Sequence, residues 1–190
     1  LINKLVEKGI EPLVTISHYE TPLYLAKKYD GWASREMIGF FERFATVLFE
    51  RFGDRVKYWL TFNEINAVLH QPLFAGGIWT PQEALSKKDL YQAIHHELVA
   101  SARVTRIAHE MIPDVMVGCM IIALPVYALT PSPADQLAVM EANWASYAFG
   151  DVHARGRYPG YFLRKLAREG VELEITEEDE ADLLNTVDFI

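Results

Sequence analysis

The chain has 190 residues, 51% hydrophobic and 23% charged, a balance that excludes a disordered or collagen-like chain and suffices for a sizeable core. Eighteen Lys and Arg against 26 Asp and Glu leave a formal net charge of −8. Nucleic acid and an anionic membrane surface are therefore disfavoured as partners, and a small molecule is easier to accommodate.

Leu1 to Gly9 reads as the last turns of an amphipathic helix closed by a glycine, with no cap and no initiator Met before it. The apolar, β-branched run Pro12 to Tyr19 suits a strand buried on both faces. Ser34 is expected to cap a helix ending near Gly53, with Met37, Phe40, Phe41, Phe44, Val47 and Leu48 as its core stripe. A second strand is expected over Val56 to Phe62, followed by a loop from about Asn66 to Ser86 that is long enough to suggest a functional role. Ser86 with Asp89 forms a capping-box start to a helix running to about Met111.

The third strand is expected in the run Val115 to Leu124, around the one cysteine, Cys119, which reads as a buried core thiol. A single cysteine fits a reducing compartment, so a cytoplasmic protein is expected, and the run is shorter than the roughly 20 residues of a membrane helix. Ser132-Pro133 opens a helix to about Phe149. Short helices follow over Tyr161 to Glu169 and from Thr176, capped with Asp179, to about Leu184; a fourth strand starts at Val187. The acidic run Glu174 to Glu180 is explained by a solvated helix start. No linker or repeat interrupts the chain, which is read as one domain cut at both ends.

Strands alternating with helices imply parallel pairing, in a doubly wound sheet or a barrel. No Gly-x-Gly-x-x-Gly or Walker-type loop follows a strand, which disfavours the nucleotide-binding open sheets. Polar residues instead stand at strand C-terminal ends, Ser17 and His18 on the first, Asn63 and Glu64 on the second, where a barrel places its chemistry. A carboxyl flanked by Phe62 and Ile65 can be kept protonated by desolvation and serve as an acid, and glycoside hydrolysis needs two such groups. An ion pair with Lys or Arg explains a strand-end Glu more simply, and the dipeptide by itself favours that role. His18 is a possible contact for a sugar hydroxyl, and Tyr19, Trp32, Trp59 and Trp79 are candidate sugar platforms, Trp79 with the best claim to exposure. His95-His96-Glu97 lacks the second histidine of His-Glu-x-x-His, since position 100 is Ala, so packing is preferred to zinc.

The runs Ile16-Ser17-His18-Tyr19-Glu20-Thr21-Pro22, Tyr29-Asp30-Gly31-Trp32, Trp59-Leu60-Thr61-Phe62-Asn63-Glu64-Ile65-Asn66 and Asp151-Val152-His153-Ala154-Arg155-Gly156-Arg157-Tyr158-Pro159 together resemble glycoside hydrolase family one. The likeness extends over essentially the whole chain. It implies an α/β fold, a partial (β/α)8 TIM barrel from about strand 3 to the start of strand 6. It further implies a retaining β-glycosidase that uses no cofactor or metal, with Glu64 as proton donor, Asn63 at the sugar 2-hydroxyl and His18 at another hydroxyl of the ring. Tyr19, where many members acting on unphosphorylated sugars carry Trp, and the Leu69-His70-Gln71-Pro72 context point to the 6-phospho-β-glucosidase branch, making Tyr19 a substrate-binding candidate. The family's nucleophile motif, Thr-Glu-Asn-Gly-like, does not occur in these residues, so the 190 residues by themselves are expected to be inactive. A β-glucosidase for unphosphorylated substrates and a non-catalytic sugar-binding or half-barrel assembly module are the alternatives.

Overall fold

The computed structural model describes residues 1–190. After a short helix α1 (Ile2–Glu7) comes strand β1 (Leu13–Ser17), helices α2 (Leu23–Tyr29) and α3 (Glu36–Phe52), and strand β2 (Tyr58–Phe62). Helix α4 (Pro72–Gly76) and the long helix α5 (Lys87–Met111) lead to strand β3 (Met116–Gly118), and helices α6 (Pro133–Arg155), α7 (Gly160–Arg168) and α8 (Glu177–Leu183) complete the order. The strands form one parallel sheet, β1-β2-β3, with Leu13 opposite Tyr58 and Tyr58 opposite Met116. It is an open sheet, not a closed barrel.

Local chemistry places three of the eight helix starts. Ser86 and Asp89 make the reciprocal capping box of α5, and Thr176 and Asp179 make that of α8. Ser132 caps α6 with Pro133 in its first turn, where the missing N–H leaves no bond unmade. Ser34 sits one residue earlier than a cap for α3, although its hydroxyl still accepts from the Glu36 N–H at 3.3 Å.

Packing revises several expectations. The buried face of α3 is Met37, Ile38, Phe41, Ala45 and Phe49, whereas Phe44 and Val47 are exposed. Helix α4 lies within the stretch expected to be a long loop, and helix α2 fills the segment between the first strand and Ser34, to which the sequence pattern assigns no element. The third strand stops at Gly118, opposite Leu60 of β2, although beyond it the Ile65 N–H still donates to the Met120 carbonyl at 3.2 Å. The Asn66 side-chain amide then takes the place of a peptide group, donating to the Ile122 carbonyl at 3.0 Å and accepting from the Ile122 N–H at 2.8 Å. On the other edge, the chain after Val187 makes one parallel bridge, Gly118 to Phe189, and a Cβ at Gly118 would lie 2.4 Å from the Phe189 ring.

The core runs from Phe49 and Trp59 to an aromatic stack beneath the strand ends, with Phe62 4.4 Å from Phe41 and 5.2 Å from Trp32. This wedge fixes the backbone from which the next two residues, Asn63 and Glu64, project. Helices α3, α5 and α8 are tied by Arg103, which bonds Asp182 at 2.5 Å, Glu178 at 2.6 Å and, at 3.7 Å, Glu42. No helix is long and apolar enough to cross a membrane.

Candidate active site

Parallel pairing puts the ends of β1 and β2 side by side. The Asn63 N–H donates to the Ser17 carbonyl at 2.9 Å, so the pairing continues one residue past β2 and brings His18 and Tyr19 level with Asn63 and Glu64. All four residues proposed from the sequence therefore meet at one end of the sheet. Asn63 is buried, Glu64 and Tyr19 are half-buried, and His18 is exposed.

Two of the four carry an unusual backbone. Tyr19 has φ 76° and Glu64 has φ 39° with ψ 61°, left-handed conformations that side chains other than glycine adopt at a cost and that concentrate at functional sites. The result is a direct contact: the Tyr19 hydroxyl donates to Glu64 Oε2 at 2.7 Å. Burial, followed by the bond and charge of Glu64, pushes the Tyr19 phenol well above its ordinary value, so it stays protonated and acts as donor. No Lys or Arg salt-bridges Glu64; a simple surface ion pair is not its role.

Beside Tyr19 opens a cleft of about 520 Å³ whose lining includes His70, Gln71, Phe74 and Trp79. Phe74 packs 4.9 Å from the Tyr19 ring, and Trp79 is 49% exposed under the Lys27 ammonium at 5.0 Å. The wall is braced by Asp30, whose carboxylate accepts from the Thr80 N–H and hydroxyl, each at 2.7 Å. Trp32 and Trp59 are fully packed and cannot serve as sugar platforms; Trp79 can. A separate recess of about 340 Å³ between α2 and α3 has mainly apolar walls, and its one titratable lining residue is Glu20.

His95, His96 and Glu97 all face inward on α5. His95 Nε2 meets Asp179 at 3.2 Å, and because a carboxylate only accepts, that nitrogen carries the proton and Nδ1 accepts from the Tyr158 hydroxyl at 2.9 Å. His96 Nδ1 bonds the Trp32 carbonyl at 2.9 Å. Burial alone raises the Glu97 carboxyl well above the usual carboxylate range. Asp179, expected on a solvated helix start, is buried instead and salt-bridged to Arg35. Burial would raise its carboxyl, but Arg35, Thr176 and His95 outweigh that and hold it below the usual range.

The glycosyl hydrolase family 1 model matches residues 1–190. The chain belongs to this family. Among family members, it is 54% identical to a 6-phospho-beta-glucosidase of Clostridium longisporum and 48% identical to an aryl-phospho-beta-D-glucosidase of Bacillus subtilis, matching 100% of this chain in both. It spans only 40% and 41% of those relatives. The family 1 β-glucosidase from Thermotoga maritima superimposes with a TM-score of 0.82 at 32% identity, covering 99% of this chain and 41% of that one. The three-stranded sheet is thus a partial α/β barrel of the family 1 type.

Proposed function

We propose that these residues form part of the catalytic barrel of a retaining 6-phospho-β-glucosidase in which Glu64 is the general acid and base. The observation that carries this reading is Glu64 itself, held at the C-terminal end of β2 by a strained turn, bonded by Tyr19 and free of any Lys or Arg partner. In the first step Glu64 gives its proton to the departing glycosidic oxygen while a nucleophilic carboxylate, supplied from outside these 190 residues, bonds the anomeric carbon. In the second, Glu64 takes a proton from water as that water displaces the carboxylate.

Asn63 and His18 stand beside Glu64 at the paired strand ends, where they can bond ring hydroxyls, and Tyr19 lines the neighbouring cleft. The relatives at 54% and 48% identity carry phospho-glucosidase names, which supports a 6-phosphorylated aryl- or alkyl-β-glucoside. The domain is then one partial barrel, and the reaction is placed in the cytoplasm, with which the buried thiol of Cys119 is compatible. Hydrolysis of unphosphorylated β-glucosides is the second reading, favoured by the fit to the Thermotoga maritima β-glucosidase.

The test uses the full reading frame that contains this chain. Glu64→Gln is expected to lower kcat/KM about 10²- to 10⁴-fold on a phosphoglucoside with a poor leaving group, and much less on an activated one. Equal rates on the poor leaving group exclude Glu64 as the acid. Faster cleavage of cellobiose than of its 6-phosphate decides for the second reading, and binding without turnover in the parent decides for a non-catalytic module.

A further inference from the structure

The contact between Tyr19 and Glu64 does more than fill space. Tyr19 reaches Oε2 at 2.7 Å, and that is the one hydrogen bond the Glu64 side chain makes to protein. With Oε2 engaged, Oε1 is the oxygen left to carry a transferable proton. The phenol ring is packed against two others, with the Phe74 ring centroid 4.9 Å from its own and the His18 ring centroid, steeply inclined, at 5.5 Å. Its backbone is held at φ 76°, so the direction of the hydroxyl is set by the turn after β1 and not by a freely rotating surface residue. The other groups acting on it are the Asn63 amide beside Glu64 and the buried Glu97 carboxyl from α5.

We propose that Tyr19 is a positioning residue for Glu64: by donating to Oε2 its phenol fixes one carboxyl oxygen and assigns proton transfer to the other. This rests on the acid/base reading of Glu64. In the first step the proton moves from Oε1 to the glycosidic oxygen as the bond to the anomeric carbon breaks and the nucleophile's bond forms. In the second, water bonds the anomeric carbon, its proton goes to Oε1 and the nucleophile leaves. Tyr19 keeps its own proton throughout.

In the full-length protein, Tyr19→Phe removes the hydroxyl and keeps the ring. The basic limb of kcat/KM against pH, measured on a 6-phosphoglucoside with a poor leaving group, is expected to move up by about one pH unit. On a dinitrophenyl substrate, where the second step limits turnover, kcat at neutral pH is expected to fall about tenfold. Replacing Tyr19 with 3,5-difluorotyrosine preserves the shape, strengthens the donor and should move the limb down; this second variant serves if the Phe protein does not fold. A limb unmoved in the variants, with only KM raised, makes Tyr19 a plain substrate contact and overturns the inference. Glu64→Gln is run beside them. If it leaves the basic limb in place, the acid/base reading falls and takes this inference with it; if it abolishes the limb while the Tyr19 variants do not shift it, only the inference falls.

Discussion

Two carboxyl groups in this protein are each bonded by a side chain from a distant part of the sequence, yet they are built for opposite ends. Asp179 is wholly buried and its acceptor sites are occupied by Arg35, His95 and the Thr176 N–H. Glu64 is half-buried, bonded once, and set on a left-handed turn, and the Tyr19 that bonds it lines an open cleft. A saturated carboxylate is locked in charge and place and can only hold structure. A carboxyl with one oxygen bonded and one free has direction and still has capacity to exchange a proton. The difference lies in the number of partners, not in the residue type.

The largest effect on the structural side is expected at Asp179. Asp179→Ala leaves the His95 imidazole and part of the Arg35 guanidinium without their partner and removes half of the α8 capping box, a loss of about 3–5 kcal/mol for a broken buried pair. Denaturant unfolding of the full-length protein measures it. The rate constants of the molecules that remain folded are expected to match the parent, the inverse of Glu64→Gln, which should cost rate and little stability. If Asp179→Ala lowers kcat with stability intact, the division between the two carboxyls is wrong.

How much of this division can be read without coordinates depends on its range. The capping boxes at Ser86 and Thr176 are written within four residues, and both form as expected. The parallel order of strands follows from alternating patterns, and the meeting of His18, Tyr19, Asn63 and Glu64 follows from pairing of adjacent strands. The Tyr19 to Glu64 bond itself requires two positive φ angles that no pattern in Ser17-His18-Tyr19 or Asn63-Glu64 announces. Asp179 looks like one acid in a solvated run because its partners, Arg35 and His95, lie 144 and 84 residues away. Short α2 and α4 escape notice since seven and five residues give too little periodicity, and nothing local in the run around Ile122 announces that Asn66 will hold its backbone.

A middle-sized effect should appear at the cleft. Asp30→Ala removes two hydrogen bonds to Thr80 and releases the segment that carries Trp79, costing about 2 kcal/mol of stability. If Trp79 stacks on substrate, KM rises in the same variant while the basic limb of the pH profile stays put, which separates holding the cleft from tuning Glu64. A moved limb would mean that the two functions are not separable.

Protonation offers a finer test. Burial pushes His153 down from 6.5 to about 4, and its Nε2 has no hydrogen-bond partner. The unfolded chain therefore binds a proton that the folded one refuses. Stability from this residue is full above about pH 6.5 and is lost as pH falls towards about 4, with a slope approaching 1.4 kcal/mol per pH unit. His153→Leu should remove that share of the slope. His95 and His96, also lowered by burial, keep theirs. The depressed carboxyl of Asp179 acts in a lower window, being lost only below the ordinary carboxylate range, so the two contributions can be told apart in one pH series.

The smallest effect is the control that gives the others meaning. Arg106 and Glu110 form an ion pair at 2.9 Å one turn apart on α5, with side chains 44% and 60% exposed. Its distance is no worse than the Arg35 to Asp179 Oδ2 bond at 3.0 Å, so geometry alone would rank the two pairs together. Solvent decides otherwise. An exposed pair exchanges one set of good interactions for another, and Glu110→Gln should cost at most about 0.5 kcal/mol and nothing measurable at high salt. A cost at Glu110 comparable to that at Asp179 would show that desolvation does not separate the two classes of carboxyl. The contrast between Asp179 and Glu64 would then have to rest on the strained turn and the open cleft alone.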